Sequence, residues 1–288
     1  MNKIDQDLVK LTKLTVKEAL IKYQKVEIDL LLSEVLKKTR EFLFMNGEQK
    51  LTRIQASKLT QMVRRREKGE PIAYILGYKD FYGLRFKVNK NVLVPRPETE
   101  EIITRIKNQE LRIKGKTINI LDIGTGSGCI AIALAKKLQI LNFKFQITAS
   151  DISSKALIVA KQNAKAHHVK INFVRSDLLK NIKNTPDIII ANLPYGWSQW
   201  KNNTSAATIG LKFEPKHALF TKDNGLYEIK RLLLQIKQSI KQPRLIYLEF
   251  DPRQKVELDK EIKKHLPKAN VKFYKDFRSL WRFVEITL

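Results

Sequence analysis

From Ile118 to Ala131 the chain reads Ile-Asn-Ile-Leu-Asp-Ile-Gly-Thr-Gly-Ser-Gly-Cys-Ile-Ala, a largely apolar run that breaks at a glycine-rich turn and resumes as an apolar helix. A short apolar strand of this kind suits burial on both faces, as in a parallel sheet covered by helices. Gly124, Gly126 and Gly128 let a ligand approach the backbone closely, next to the free N–H groups of a helix start. Two ligand classes fit this spacing. Gly126, Gly128 and Ala131 satisfy the G-x-G-x-x-A form of a dinucleotide fingerprint, whereas the alternation Asp122-x-Gly124-x-Gly126-x-Gly128 suits a methionine-bearing nucleoside without a pyrophosphate.

The chain after this turn repeats the same grammar. A strand over 146–150 ends in Asp151, whose carboxylate can accept both hydroxyls of a ribose; it can also serve as a helix cap before Ala156 and Leu157. A third strand, 171–174, leads to Asp177 and Leu178, a carboxylate that can accept from an adenine amino group and a side chain that can lie against the ring. Strands over 188–191, 245–249, 271–274 and 281–286 follow, with helices over about 225–240 and 253–265. About seven strands alternating with helices from residue 117 onward predict an α/β fold.

Pro186-Asp187-Ile188-Ile189-Ile190-Ala191 reads as a buried parallel strand, and it delivers Asn192-Leu193-Pro194-Tyr195 to the sheet's carboxyl edge, where open α/β sheets bind ligands. An amide or aromatic amine is a poor nucleophile because its lone pair is delocalised. A site that alkylates it must hold the nitrogen in place. Asn192 can accept one N–H through its side-chain oxygen, the carbonyl of residue 193 can accept the other, Pro194 stiffens the turn and Tyr195 can stack on a flat target. The segment from Trp197 to Phe213 is polar and aromatic without a period, and is expected to be a mobile flap over the acceptor.

The N-terminal quarter is different. Leu8, Leu11 and Leu14, then Ile28, Leu31, Leu32, Val35 and Leu36, recur at three- and four-residue steps. Asn46-Gly47 ends one helix, and Leu51-Thr52 starts another that runs to Arg64-Arg65-Arg66. The pattern predicts a small helical domain over 1–70, suited to recognising a macromolecule. Tyr74 to Val88 reads as two short strands punctuated by glycine, making 71–92 a hairpin linker before a domain over 93–288. Between them and the glycine turn, Val94-Pro95-Arg96-Pro97-Glu98-Thr99-Glu100-Glu101 holds Arg96 extended between two prolines and opens a helix through Ile102, Ile103 and Ile106.

Composition narrows the function classes. A single cysteine, Cys129, excludes an internal disulfide and disfavours a thiolate cluster, and its place in an apolar helix suits a buried small residue. His167 and His168 are adjacent, and His217 and His265 isolated, so no metal site is expected. No apolar run reaches membrane-spanning length and the first residues lack a signal peptide's apolar core; a cytoplasmic protein without membrane contact is expected. The net charge of +26, from 55 Lys plus Arg against 29 Asp plus Glu, suits a polyanion such as ribosomal RNA. Lysines spread over solvated faces, as at Lys37-Lys38 and Lys263-Lys264, account for it without such a partner.

Taken with Gly69-Glu70-Pro71, Tyr74-Ile75-Leu76-Gly77, Leu93 to Glu100, Asp122 to Gly128, Asn192 to Tyr195, Phe213-Glu214-Pro215, Ala218-Leu219 and Leu248-Glu249, the chain resembles the release-factor glutamine methyltransferases, the PrmC or HemK family. The resemblance implies a seven-stranded, Rossmann-like class I methyltransferase sheet with a helical N-terminal domain that helps dock the protein substrate. It implies S-adenosyl-L-methionine as methyl donor, S-adenosyl-L-homocysteine as product, and no metal. Gly124, Thr125, Gly126, Ser127 and Gly128 would cradle the methionine part, Asp151 the ribose, and Asp177 with Leu178 the adenine. Asn192, Leu193, Pro194 and Tyr195 would hold the acceptor, with Asn192 also beside the cofactor and Arg96 and Glu214 on the substrate side. That acceptor would be the glutamine of the Gly-Gly-Gln motif in class I peptide chain release factors. A monomer is expected, with weak ribosome or RNA contact through the basic surface.

One position departs from the family. Leu193 stands where the family has proline, and Asn-Leu-Pro-Tyr is similar to the motif of ribosomal-RNA adenine dimethyltransferases. Those enzymes place their extra helical domain after the catalytic one, whereas the helical segment here comes first. N6-adenine methylation of ribosomal RNA is therefore the alternative activity, and a non-catalytic ribosome-associated binder the alternative without chemistry.

Overall fold

A computed structural model describes residues 15–23, 27–106, 117–197 and 206–288. The expected helical positions Leu8, Leu11 and Leu14, and residues 198–205 of the expected flap, lie outside the described residues. The chain divides into two compact units, Met1–Gly77 and Tyr78–Leu288.

In the first unit, threonines start the helices. Thr15, Thr39 and Thr52 each accept a backbone N–H three residues on, and with Glu18 and Gln55 the first and last complete reciprocal capping boxes. These open α1 (Val16–Lys22), α3 (Arg40–Met45) and α4 (Arg53–Glu67), while α2 (Ile28–Leu36) lies between α1 and α3. The periodic residues Ile28, Leu31, Leu32, Val35 and Leu36 are all buried, in one cluster with Leu43, Leu59 and Val63. Residues 74–76 depart from the expected strand. They belong to α5 (Ile72–Leu76), whose Ala73, Tyr74 and Ile75 are buried and whose C-cap, Gly77, takes the left-handed conformation at φ 83°. Five apolar-rich residues carry too little periodicity to separate a helical turn from a strand.

The second unit opens with β1 (Tyr78–Phe81) and β2 (Leu84–Lys87), paired antiparallel. Tyr82 and Gly83 between them both have positive φ, as a two-residue primed turn requires. Phe81 and Phe86 are buried with the helix–sheet core, so the hairpin is a packed part of this unit. The expected helix after Pro97 is a 3₁₀ turn over Pro97–Thr99 leading into α6 (Glu100–Arg105). Then come β3 (Ile118–Ile123), α7 (Cys129–Ile140), β4 (Phe145–Asp151), α8 (Ser154–Ala166), β5 (Asn172–Arg175), β6 (Ile188–Ala191), α9 (Lys216–Leu219), α10 (Tyr227–Gln238), β7 (Leu245–Glu249), α11 (Lys255–His265), β8 (Asn270–Lys275) and β9 (Trp281–Thr287).

All seven strands expected after residue 117 join one sheet in the order β5-β4-β3-β6-β7-β9-β8. The first five of these are parallel, and β9 is antiparallel to both its neighbours. Side-chain alternation sends Ile188 and Ile190 to one face, with α7, and Ile189 and Ala191 to the other, with α10 and α11. With two covered faces, β6 is buried at every residue, which is why its sequence shows no polar alternation. Strand order reverses direction between β3 and β6, and this switch point is where an open α/β sheet leaves room for a ligand at the strands' carboxyl ends.

Two polar anchors hold the loops at that edge. Asn163 on α8, 2% exposed, accepts from Lys87 N at 2.8 Å and donates to Lys87 O at 3.0 Å and to Ser127 O at 2.8 Å. It ties the hairpin to the glycine turn. Gln254 donates through Nε2 to the carbonyls of Tyr195 (2.9 Å) and Asn224 (2.8 Å). Gly225, at φ 82°, lies so close that a Cβ there would overlap the Tyr195 carbonyl.

Asn163→Ala strands three backbone partners, one of them buried, and is expected to lower unfolding free energy by about 2 to 3 kcal/mol, read as a lower urea midpoint with unchanged slope. Gly225→Ala is expected to cost roughly 1 to 3 kcal/mol through steric strain and an unfavourable φ. A Gly225→Ala protein melting at the wild-type temperature would show that the 195–196 backbone yields freely.

Candidate active site

At the carboxyl ends of β3, β4, β5 and β6 lies a cavity of about 250 Å³. Gly124 and Gly126 line it after β3, Asp151 after β4, Ser176, Asp177 and Leu178 after β5, and Asn192, Leu193 and Pro194 after β6. Four separate stretches that the sequence singled out thus meet at one site.

The glycine turn is shaped by backbone conformation. Gly124, Gly126 and Gly128 have φ of 71°, 55° and 81°, a region that side-chain-bearing residues rarely enter. A Cβ on Gly126 would meet only the Gly124 carbonyl, at 3.9 Å, so the space beside this turn is open. Behind Gly128 the helix packs tightly, because a Cβ there would come within 3.1 Å of Ala160 and Ile132. Thr125 donates its hydroxyl to Asp122 at 2.6 Å, while the other Asp122 oxygen is buried without a partner among the described residues. Burial pushes the Asp122 carboxyl up to about 7, against the pull of the Thr125 hydrogen bond. Ser127 is buried below the turn. Burial also raises the Cys129 thiol to about 12, so it stays protonated and unreactive at neutral pH.

Asp151 braces the turn as well as facing the cavity. Its oxygens accept from Gly126 N at 2.9 Å and Ser153 N at 2.8 Å. Ser153, which accepts from Ala156 N, is the actual cap of α8. Burial raises the Asp151 pKa, and these two backbone donors together with His217 work against that rise. Asp177 accepts from Arg231 at 2.7 Å and Lys180 at 3.0 Å. Both contacts use Oδ2, and the Arg231 hydrogen bond is the main reason its pKa is lowered. Its Oδ1 takes no partner among the described residues.

The Asn192 to Tyr195 loop sits on a buried polar network. Asn192 Nδ2 donates to Thr99 Oγ1 at 3.3 Å, Thr99 Oγ1 donates to Glu249 Oε2 at 2.7 Å, and the Tyr195 hydroxyl donates to Glu249 Oε1 at 3.2 Å. Glu249 has no exposed surface, and burial pushes its carboxyl up to about 7, moderated by Thr99 and by the charge of Arg282. Burial, then the Glu249 charge, raise the Tyr195 phenol far above its usual range, so it remains a donor. Tyr195 does not line the cavity with its three predecessors; its hydroxyl is turned inward and its ring is half-buried.

Arg96 and Glu214, 118 residues apart, form an ion pair of 2.6 Å. Glu214 also accepts from Val94 N at 3.0 Å. Neither lines the cavity; together they fasten the 94–96 stretch to the end of the 3₁₀ segment over Ala206–Phe213. Sequence reasoning missed several residues of the site, Thr99, Arg231 and His217 among them. Thr99 lay inside a stretch read for its prolines and carboxylates, and its buried polar side chain gave no local sign. Arg231 and His217 reach the cavity from α10 and α9; an arginine on an amphipathic helix and a lone histidine carry no sequence signal of their own. Among the described residues there is no cluster of His, Cys, Asp and Glu able to hold a metal, and no helix is long and apolar enough to cross a membrane.

Comparison with known proteins agrees with this architecture. Residues 7–77 match the PrmC N-terminal domain and residues 101–212 the methyltransferase small domain. A release factor glutamine methyltransferase of Streptococcus pneumoniae is 34% identical over 239 residues, covering 82% of this chain and 81% of the relative. One from Buchnera aphidicola is 37% identical over 242 residues, 84% of either chain. Among solved structures, the human METTL16 catalytic domain with an RNA hairpin aligns with a TM-score of 0.57 at 16% identity, over 81% of each chain. The N-terminal domain of human METTL16 in complex with SAH aligns at 0.52 and 17% identity, over 89% of this chain and 93% of that one. At such identities these two speak for the fold alone, a class I methyltransferase sheet. The two sequence relatives, alike over more than four-fifths of their length, show that the chain belongs to the release factor glutamine methyltransferase family.

Proposed function

We propose that this protein transfers a methyl group from S-adenosyl-L-methionine to the side-chain amide nitrogen of the glutamine in the Gly-Gly-Gln motif of class I peptide chain release factors, leaving S-adenosyl-L-homocysteine. The carrying observation is Asn192 at the cavity, with Nδ2 spoken for by Thr99 and Oδ1 without a partner among the described residues. The Leu193 carbonyl likewise accepts no hydrogen bond from the described residues. Two acceptors of this kind match the two N–H groups of a primary amide.

The bound donor supplies an already activated methyl group on a sulfonium sulfur, and its chemistry needs no metal. The chain holds and aims the reactants. The open face of the Gly124 to Gly128 turn fits the methionine part, with Thr125 and Ser127 keeping the turn's shape. Asp151, Asp177 through Oδ1, and Leu178 border the ribose and adenine. Asn192 Oδ1 and the Leu193 carbonyl accept the glutamine N–H groups, Pro194 limits the turn's freedom, and the Tyr195 ring walls the acceptor. Arg96 and Glu214 act from the substrate side by fastening the 94–96 and 206–214 stretches. The carbonyl at 193 is present with leucine as with proline, so the departure at this position leaves the acceptor pair intact. The helical unit, which the sequence divides off at about residue 70, serves to dock the release factor. A cytoplasmic monomer that touches RNA only weakly through its basic surface completes this reading.

Leu193 also favours a second reading, N6-adenine methylation of ribosomal RNA, since an adenine amino group presents a similar pair of N–H groups. Labelled methyl transfer decides between them, with a purified release factor, a copy with its Gly-Gly-Gln glutamine replaced, and deproteinised ribosomal RNA as acceptors. Label in the intact release factor alone is the expected outcome, and label in RNA alone would overturn it. Asn192→Ala is expected to leave cofactor affinity near wild type and to raise the barrier by about 2 to 4 kcal/mol, read from kcat. Turnover near wild type in that variant would remove Asn192 from its assigned role.

A further inference from the structure

We infer that Thr99 and Glu249 are positioning residues that set the orientation of the Asn192 side-chain amide, so that its oxygen, and not its NH₂, faces the acceptor. This inference rests on the acceptor reading proposed above and adds two residues to it. An asparagine amide turned by 180° keeps its shape but exchanges acceptor for donor. Turned the wrong way, it would oppose its NH₂ to the N–H groups of a glutamine. Something must therefore choose the orientation.

The buried chain makes that choice by donor counting. A Thr hydroxyl has one hydrogen, and Thr99 places it on Glu249 Oε2 at 2.7 Å. The ionised carboxylate is acceptor-only, so the Thr99 oxygen is left to accept, and what it accepts is Asn192 Nδ2 at 3.3 Å. Asn192 Oδ1 is then directed away from Thr99. Tyr195 donates to the second Glu249 oxygen, which strengthens the acceptor-only end. Thr99 is 2% exposed and Glu249 fully buried, so water does not substitute for either partner.

Protonation of Glu249 would undo the arrangement. A carboxylic acid can donate to Thr99, which frees the Thr99 hydrogen for Asn192 Oδ1 and turns the amide. The surroundings bring this within reach of neutral pH, since burial pushes the Glu249 carboxyl up to about 7. The groups that face it are Glu98 beside Thr99, which favours protonation, Arg282 on β9, which opposes it, and the Tyr195 phenol. Arg282 is itself paired with Asp276, and Arg96 acts on Tyr195 from the 96–99 stretch.

The test combines kinetics with a signal that needs no acceptor. Thr99→Val keeps the shape without the hydroxyl, and kcat for the release factor is expected to fall about 10- to 100-fold at unchanged cofactor affinity. Thr99→Ser is expected to recover to within about 3-fold of wild type. In wild type kcat is expected to decline as pH falls below about 7, and Glu249→Gln to lack that decline. In parallel, ¹⁵N-asparagine NMR of the full chain reads the Asn192 side-chain NH₂. Its resonances are expected to shift with pH in wild type, to stay constant in Glu249→Gln, and to move in Thr99→Val but not in Thr99→Ser. Equal kcat in Thr99→Val and wild type, or equal impairment in the serine and valine variants, would overturn the relay. A wild-type NH₂ signal that ignores pH through the decline would do the same. Because the NMR comparison is made without acceptor, it decides on the relay even where no release factor is methylated.

Discussion

The register that pairs Ile123 of β3 with Ala191 of β6 is the constraint on which the site depends. Because these neighbours end level with one another, Gly124 and Asn192 leave the sheet side by side, and a Cβ on Gly124 would lie 3.7 Å from the Asn192 carbonyl. A one-residue slip in a parallel ladder would turn every β6 side chain to the opposite face. The near-continuous burial of both strands makes such a slip costly. The stretch that fits a methyl donor and the stretch that fits an acceptor are thereby held adjacent by the core itself.

Buried carboxylates at and around the same edge are held by specific donors. Asp122, Asp151, Glu214 and Glu249 are each at most 8% exposed. Desolvation disfavours their charge, and each is answered by specific donors: Thr125 for Asp122, two backbone N–H groups for Asp151, Arg96 and Val94 for Glu214, Thr99 and Tyr195 for Glu249. Apart from Thr125 and Ser153, these donors come from stretches remote in sequence, so the polar edge ties separate loops together.

Much of the fold was legible because its signals are local. Unalternated β-branched runs marked the parallel strands, three- and four-residue apolar steps marked α2, and Leu51-Thr52 marked the start of α4. Two exceptions were residues 74–76, in a segment of five residues shorter than either period needs, and the 3₁₀ segment over Ala206–Phe213, in a stretch expected to be an aperiodic flap. The candidate site was legible where one stretch carries several functional groups, as in the glycine turn and Asn192 to Tyr195. Thr99, Arg231 and His217 were not, because each matters only through what faces it.

By itself, then, the sequence determined the α/β class, the seven strands after residue 117, the glycine turn and the Asn192 to Tyr195 turn after β6, since propensity, periodicity and backbone chemistry act within a few residues. Tertiary structure alone decided which of those elements meet. The strand order places β3 beside β6, Asp151 is drawn under Gly126 while Ser153 caps the helix, and Asp177 is paired with Arg231. Most of all, it decided that the hydroxyl of Thr99 stands between Glu249 and Asn192, at sequence separations of 150 and 93 residues. No local rule encodes such a contact, because the direction of a hydrogen bond depends on every donor and acceptor that folding brings within reach.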